Sequence, residues 1–376
     1  MYILEKTKNF ITGISHPGQK LEMIKEAGIN WVRVDVPYPF KSGGSGELDD
    51  AYGDFKERCK KFAEYGLRAM CLTPYPFMFI GAGIDPTTDE GLEQVRQICR
   101  FLAADLAFLE VGWQITNEMY VTNFRAPLTF EQAVPFIIAG LKGIREGAPE
   151  AISGHNSMTF DGWGNDDMLL EALRPYQDLM DYIGLDNYRG TLCDGETDDI
   201  LAVVERAYKT TGLPVLVQEF GFASEGTIYT KQDVADYIKS MGYDKIEDIH
   251  ADPTRFVKRM PHSLAEFVMR CPENERGGNA VAFMPHLLKK FPGGSKIYRH
   301  TPEGQAAFYS DLIGKMMANE HTCGMIIYSW SDAELCFYCY CDECPNETHW
   351  GITYCDESPK PAYHVIKNYF AKKILK

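Results

Sequence analysis

The sequence lacks the features of a membrane protein or a nucleic-acid-binding protein. Within its 376 residues no apolar run approaches the length of a membrane span, and the N-terminus has no cationic start followed by a long apolar stretch. Only 38 Lys and Arg face 53 Asp and Glu, and the net charge of −15, with no local basic patch, repels phosphate backbones and anionic lipid surfaces. We therefore expect no nucleic-acid partner, no membrane association and a cytoplasmic location.

Several catalytic motifs are absent as well. The sequence contains no serine or cysteine nucleophile elbow and no H-E-x-x-H helix, so esterase and metalloprotease chemistry lack their essential residues. The segment Gly81-Ala82-Gly83 lacks the third glycine and the strand-turn-helix context of a dinucleotide-binding loop. We therefore expect an active site without a metal ion or a cofactor.

What the sequence does contain is a repeated alternation of short apolar, β-branched runs with longer amphipathic stretches, which is typical of parallel strands joined by helices. The predicted strands are Phe10–Ile14, Trp31–Val36, Leu67–Leu72, Glu110–Thr116, Ala151–Gly154, Tyr182–Asp186, Pro214–Gln218 and Met325–Tyr328. The predicted helices are Lys20–Ala27, Asp50–Tyr65, Thr88–Leu106, Thr129–Glu146, Asp166–Leu173, Asp198–Thr210, Glu303–Met317 and Ala362–Ala371. Eight such units close into a single (β/α)8 TIM barrel, an α/β fold whose active site lies at the C-terminal ends of the strands, and we predict this fold for residues 1–376.

One connection is too long for a simple loop. The segment after strand seven, Ser224 to Pro302, has 79 residues and contains predicted helices at Lys231–Met241 and Pro261–Met269. We interpret residues 224–302 as an inserted lid or small subdomain beside the active face of the barrel.

Two of the predicted strands end on a glutamate. Glu118 closes the stretch W-Q-I-T-N-E after strand four, Glu219 closes V-L-V-Q-E after strand seven, and the two lie 101 residues apart. Cleavage of a glycosidic bond needs one carboxyl to protonate the leaving oxygen and a second to attack or stabilise the sugar centre. Because a barrel brings strand ends to one face, this pair predicts a glycosidase.

These two strand ends resemble clan A of the glycoside hydrolases. Asn117-Glu118 and the Gln-Glu-Phe-Gly turn that contains Glu219 carry the resemblance, which covers the barrel and leaves out the insertion. It implies a retaining mechanism, in which Glu118 is the general acid and base and Glu219 is the nucleophile. In retaining enzymes the two carboxyl groups lie about 5 to 5.5 Å apart.

The resemblance also implies roles for four further residues. Arg33, at the end of strand two, resembles the arginine that hydrogen-bonds the nucleophile, and Tyr188, after strand six, resembles the tyrosine that donates to it. Asn117 resembles the asparagine that binds the sugar 2-hydroxyl, a contact that strengthens in the transition state. Trp330, placed at the end of strand eight, resembles the tryptophan on which the sugar ring stacks.

Two histidines follow strands at the same end of the barrel. His16 after strand one and His155 after strand five are each either a sugar contact or a hydrogen-bonded structural histidine. Strand three ends in Leu72-Thr73-Pro74-Tyr75, without the histidine of glycoside hydrolase family five, and Asn187 precedes Tyr188 where that family often has a histidine. The individual family therefore stays open within the clan.

The loop after strand eight is rich in cysteine. It holds two C-x-x-C pairs, Cys336 with Cys339 and Cys341 with Cys344, which are typical of zinc sites. A single residue separates the pairs, whereas zinc knuckles normally have a longer span between them. Both interpretations stay open: a metal site, or reduced thiols in an aromatic lid.

The function that we expect is a retaining β-glycosidase acting by double displacement on a carbohydrate substrate. The insertion and the cysteine-rich loop would wall the cleft into a pocket, which favours exo action on short oligosaccharides or small glycosides. The alternatives are an endo-acting β-glucanase or β-mannanase and, in another class, a barrel that binds carbohydrate without catalysis. The oligomeric state is left open by the sequence.

Overall fold

The computed structural model describes residues 2–7, 9–158 and 166–374. Its centre is a closed barrel of eight parallel strands, in which each strand pairs with the next and the eighth pairs with the first. The strands are β1 (Ile11–Ser15), β2 (Trp31–Asp35), β3 (Arg68–Leu72), β4 (Gly112–Gln114), β5 (Ser153–Met158), β6 (Tyr182–Asn187), β7 (Val215–Phe220) and β8 (Thr322–Ile327). The predicted (β/α)8 barrel is confirmed.

Helices surround this barrel and fill the long connection after β7. Along the chain they are α1 (Tyr2–Thr7), α2 (Leu21–Glu26), α3 (Asp50–Glu64), α4 (Pro76–Gly81), α5 (Asp89–Leu106), α6 (Thr122–Arg125), α7 (Phe130–Gly147), α8 (Asp166–Leu173), α9 (Thr197–Thr211), α10 (Lys231–Ser240), α11 (Ile246–Ala251), α12 (Thr254–Arg259), α13 (His262–Arg270), α14 (Arg276–Ala282), α15 (Met284–Leu288), α16 (Pro302–Ala318), α17 (Pro345–Thr348) and α18 (Pro361–Ile374). Short 3-10 helices lie at Ala107–Leu109, Arg174–Leu179 and Glu273–Glu275. Within the described residues, none of the helices is both long enough and apolar enough to cross a bilayer.

The barrel interior is divided into an apolar layer and a polar layer. The apolar layer occupies the end where the strands begin, and its members are Ile3, Ile11, Trp31, Met70, Ile152, Tyr182, Leu216, Cys323 and Ile326. Further along the strands, on the same face, the inward side chains become polar, among them Arg33, Gln114 and Asn156. Buried polar side chains need hydrogen-bond partners, and Arg33, Gln114 and Asn156 find theirs beneath the ends of β2, β4 and β5.

An irregularity in β7 sets the direction of Glu219. Asp186 of β6 pairs with Glu219, whereas the residue before Asp186 pairs with Val217, so Gln218 is an extra residue in β7. Gln218 faces the barrel interior, and strict alternation would turn Glu219 outward. The bulge turns Glu219 inward instead and leaves Phe220 in the core between sheet and helices.

The connection between β7 and α16 is helical and has a hydrophobic core of its own. Helices α10 to α15 enclose buried side chains such as Ile249, Phe256 and Leu264, which are separate from the barrel core. Tyr338 and Cys339, in the loop after β8, pack against the same cluster. The insertion and the loop after β8 therefore share one core, and a role of residues 224–302 as a lid stays a prediction.

Candidate active site

Three carboxyl groups meet at the C-terminal ends of β4, β6 and β7. One oxygen each of Glu118, Asp186 and Glu219 lie within 4.8 Å of one another, and the three residues are 5%, 0% and 7% exposed. The structure therefore brings the two predicted glutamates together, at a separation compatible with the retaining geometry. Asp186 is a third carboxyl that the sequence interpretation missed, although its position at a strand end beside Tyr188 was a usable signal.

Glu118 is presented by a strained turn. Thr116 and Glu118 have φ values of +48° and +45°, in the left-handed region that non-glycine residues seldom occupy. Neighbouring side chains hold this turn: the Thr116 N–H donates to Oγ1 of Thr73 at 2.9 Å, and the Glu118 N–H donates to Oδ1 of Asn156 at 2.9 Å. Backbone strain held in place by the surrounding structure is typical of functional sites.

Arg33 connects the polar layer of the barrel to Glu219. Its Nη1 forms an ion pair with Oε1 of Glu219, its Nε donates to Oε1 of Gln114 at 2.8 Å, and its Nη2 donates to Oδ1 of Asn117 at 2.6 Å. Burial disfavours the charged guanidinium, but the negative charges of Glu219 and Asp186 outweigh it, so the pKa of Arg33 is raised. A fixed, fully charged donor therefore faces Glu219.

Tyr188 supplies a second donor to the same carboxylate. Its hydroxyl donates to Oε2 of Glu219, while Arg33 holds Oε1. Burial and then the charge of Glu219 raise the pKa of Tyr188 well above its ordinary value, so the phenol keeps its proton. Each oxygen of Glu219 thus accepts a hydrogen bond, and the two donors fix the orientation of this buried carboxyl group.

The amide of Asn117 is oriented by three donors. Its Oδ1 accepts from Nη2 of Arg33 at 2.6 Å, from Nε2 of Gln114 at 3.1 Å and from Nδ2 of Asn156 at 2.7 Å. No acceptor among the described residues takes up its Nδ2 group. The N–H donors of Asn117 therefore remain for a bound molecule.

Glu118 and Asp186 are both easier to protonate than ordinary carboxylic acids. Burial and then the negative charge of Glu219 raise the pKa of Glu118 to about 8. Burial, Glu219 and Glu118 also raise the pKa of Asp186 well above its ordinary value. The carboxyl groups of Asp186 and Glu118 lie within hydrogen-bonding reach of each other, and Oδ2 of Asp186 also accepts from Nδ2 of Asn156. Glu118 therefore carries a proton at neutral pH, next to an anionic Glu219.

The prediction for Trp330 is wrong. Its ring is 0% exposed, its indole N–H donates to Oε2 of Glu357 at 2.7 Å, and it packs edge-on against Tyr363 of α18. No ring face is left for a sugar. Strand β8 ends at residue 327, so the aromatic side chain at the mouth is Tyr328, whose ring lies edge-on to Tyr188 with centroids 5.9 Å apart.

The two histidines have different positions. His155 is fully buried and its Nδ1–H donates to the carbonyl oxygen of Ile115 at 2.7 Å. Burial lowers the pKa of His155 to about 4, so it is a neutral structural histidine and not a sugar contact. His16 is exposed at the mouth, edge-on to Tyr328 at 5.3 Å, and stays a candidate contact.

Residues from the loops form the rim of the site. The Tyr328 hydroxyl donates to Glu347 at 2.9 Å, and burial followed by the charge of Glu219 raises the pKa of Glu347 to about 8. Burial and then the negative charges of Glu347, Glu118 and Glu219 raise the pKa of Tyr338 well above its ordinary value, so Tyr338 lies near both carboxyl groups of the site. Sequence reasoning missed this group because loops carry no periodic pattern that fixes which side chains point inward.

Solved structures share this fold. A family 39 glycoside hydrolase from the gut symbiont Bacteroides cellulosilyticus WH2 has a TM-score of 0.57 at 13% identity, covering 98% of this chain and 64% of that one. A glucosidase from Croceicoccus marinus has a TM-score of 0.60 at 11% identity, covering 97% and 68%. A GH2 β-galacturonidase from Eisenbergiella tayi, bound to galacturonate, has a TM-score of 0.52 at 15% identity, covering 97% and 51%.

These likenesses extend over 97 to 98% of this chain. The chain spans between about half and two-thirds of the length of these proteins. No protein-family model matches the sequence, and no curated protein matches it. At such low identities the comparison shows a common fold, which is the barrel that the resemblance to clan A implies.

Proposed function

We propose that this protein is a retaining glycoside hydrolase with Glu219 as nucleophile and Glu118 as general acid and base. The observation that carries the proposal is the pairing of two close carboxyl groups in opposite environments. Glu219 accepts from a guanidinium and a phenol, whereas burial and the neighbouring charge raise the pKa of Glu118 to about 8. One group is prepared to attack and the other to donate a proton.

In the first half-reaction, an anionic oxygen of Glu219 bonds to the anomeric carbon while the bond from that carbon to the leaving oxygen breaks. The proton of Glu118 moves to the leaving oxygen, so the alcohol departs neutral. The separation within 4.8 Å supports this retaining geometry, because an inverting pair would stand about 6.5 to 9.5 Å apart to admit a water molecule.

In the second half-reaction, water hydrolyses the ester on Glu219. Glu118, which has given its proton to the leaving oxygen, is now a carboxylate, and of the two causes that raised its pKa, burial and then the charge of Glu219, esterification has removed the second, so Glu118 accepts the proton of the attacking water. The oxygen of that water bonds to the anomeric carbon, and Glu219 leaves as a carboxylate. Both groups then return to their starting states, with Glu118 protonated again.

Asn117 and the aromatic rim are suited to hold the sugar. Arg33, which binds Glu219, also holds Oδ1 of Asn117, and the Nδ2 group of Asn117 would donate to the 2-hydroxyl, where its contribution is greatest in the transition state. Tyr338 and Glu347, brought over the mouth by the loop after β8, support a pocket and therefore exo action on short β-glycosides.

The direct test uses trapping by 2-deoxy-2-fluoro-β-glycosides followed by peptide mass mapping. The panel includes glucosides and galacturonides, since the similar structures include a glucosidase and a β-galacturonidase. We expect the label on Glu219, and Glu219→Gln should abolish both labelling and turnover, whereas the exposed Glu150→Gln serves as the matched control. A label on another residue, or full activity of Glu219→Gln, would overturn the mechanism.

Exo action has its own test. We expect disaccharides and aryl glycosides to be hydrolysed much faster than long polymers. A rapid loss of polymer viscosity would instead indicate an endo-acting glycanase. Sugar binding without hydrolysis of any glycoside in the panel would indicate a carbohydrate-binding barrel.

A further inference from the structure

The loop after β8 and the insertion bring four metal-ligating side chains to one point. Nδ1 or Nε2 of His286 and Sγ of Cys336, Cys339 and Cys344 all lie within 4.8 Å of one another. Cys336 and Cys344 are 0% exposed. Cys341, which the sequence pattern had grouped with them, is outside this cluster and points toward Asp342.

The spacing within the cluster suits a tetrahedral metal ion. Nδ1 of His286 lies 3.4 Å from Sγ of Cys336 and 3.6 Å from Sγ of Cys344. With Zn–S distances of about 2.3 Å and Zn–N distances of about 2.0 to 2.1 Å, a tetrahedral site places sulfur and nitrogen about 3.5 Å apart. The three sulfurs also lie within hydrogen-bonding reach of one another. Four ligand atoms thus surround one common centre.

Backbone and side-chain donors surround these sulfurs. The backbone at Cys339, Cys341 and Asn346 lies within hydrogen-bonding reach of the sulfurs of Cys336, Cys339 and Cys344, respectively. The Asn346 side-chain Nδ2 adds a contact to Cys344 at 3.6 Å. Such donors stabilise thiolates, which are the form that binds a metal, and they orient the ligands in the way that outer-sphere partners do in zinc sites.

We propose that His286, Cys336, Cys339 and Cys344 bind one structural Zn²⁺ ion. Thiolates together with imidazole are a ligand set that zinc prefers, and four protein ligands leave no open position for catalysis. Because Cys341 is not a ligand, the short spacing between the two C-x-x-C pairs is no obstacle. His286 from the insertion completes a set that the loop alone cannot supply.

The proposed ion would join two segments of chain over the active site. His286 belongs to α15 of the insertion, and the cysteines belong to the loop after β8, whose first ligand is 50 residues further along the chain. Tyr338 lies between two of these ligands, and Glu347 follows the last one by three residues. Zinc would therefore fix the loop that carries both rim residues.

Metal content tests this proposal without any substrate, so it stands or falls independently of the proposed hydrolase activity. The wild-type protein, purified without chelators under reducing conditions, should contain one zinc ion per chain by mass spectrometry of the metal. Cys339→Ser should lose the zinc, and the matched control Cys341→Ser should keep it. Equal zinc content in both variants would overturn the assignment.

Two measurements on the wild-type protein keep the test decisive even if Cys339→Ser does not fold. Replacement of zinc by Co²⁺ should give the intense visible bands of tetrahedral cobalt together with thiolate-to-cobalt charge transfer. Organomercurial modification of thiols should release the zinc to a chromogenic chelator. A protein that binds no zinc after reconstitution, or that shows a disulfide among Cys336, Cys339 and Cys344 in a non-reducing peptide map, would refute the site.

Discussion

Replacing Glu118 by glutamine should make the protein more stable at alkaline pH. An unfolded glutamate loses its proton near its ordinary pKa of 4.5, whereas burial and the charge of Glu219 raise the pKa of Glu118 in the folded protein to about 8. Between these values the folded chain keeps a proton that the unfolded chain has released. The stability that the protonated Glu118 contributes is therefore fully present below pH 4.5 and is lost as pH rises toward 8.

The size of this effect follows from the two pKa values. Each pH unit within the window costs about 1.4 kcal/mol. Between pH 5 and pH 8 the wild-type protein should thus lose about 3 kcal/mol through Glu118 alone. Glutamine has nearly the same shape and does not titrate. Asp186 lies within hydrogen-bonding reach of Glu118, so the comparison with Glu118→Gln measures the titration of these two carboxyl groups as a coupled pair.

The assay is urea-induced unfolding, followed by tryptophan fluorescence at pH 5, 6.5 and 8, with the free energy of unfolding obtained by linear extrapolation. The stability difference between Glu118→Gln and the wild type should grow by about 3 kcal/mol over this range. The exposed Glu150→Gln should show no such trend. If Glu118→Gln and the wild type change in parallel with pH, then Glu118 does not hold its proton in the folded state, and the assignment as general acid loses its support.

Three further outcomes follow from the site. The value of kcat/KM should fall at alkaline pH with an apparent pKa of about 8, because Glu118 must be protonated. With a dinitrophenyl glycoside this alkaline fall in kcat/KM should be smaller, since that leaving group needs little proton donation. Tyr188→Phe removes one of the two hydrogen bonds to Glu219 and should lower kcat/KM roughly 10- to 100-fold in steady-state assays, as expected for a hydrogen bond to a charged group. Trp330→Phe loses the indole bond to Glu357 and should lower the free energy of unfolding by about 1 to 3 kcal/mol with KM nearly unchanged. A large rise in KM for Trp330→Phe would indicate that Trp330 contacts the sugar after all.

The strand pattern was predictable because strands in a parallel barrel are buried on both faces. Continuous apolar runs therefore mark them in the sequence. The largest difference at the C-terminal end of a strand is in β5, which was predicted to end at Gly154 and continues to Met158. Its additional residues include His155 and Asn156, which are polar and fully buried. Polar residues in a strand resemble a loop in the sequence, although here Asn156 supports the site from inside the barrel.

Much of the candidate site was also predictable, because all strands of the barrel end on one face. A residue at the end of any strand can therefore meet a residue at the end of another, as Arg33, Glu118 and Glu219 do. Trp330 was misplaced because β8 ends three residues before it, at Ile327, and the chain then turns away from the mouth. Which residue reaches the mouth depends on where the strand ends, and the ends of strands are the least certain part of a prediction from sequence.

The residues that could not be predicted are those for which the site departs from regular structure. Because side chains alternate along a strand, a regular strand points either Gln218 or Glu219 into the barrel, and only a bulge points both inward. The apolar residues on either side of them in the sequence give no sign of this bulge. The same holds for His286, which joins the cysteines only because an insertion folds back over the loop. The bulge in β7 and the folding back of the insertion each place a polar side chain where no strand or helix pattern in the sequence predicts it.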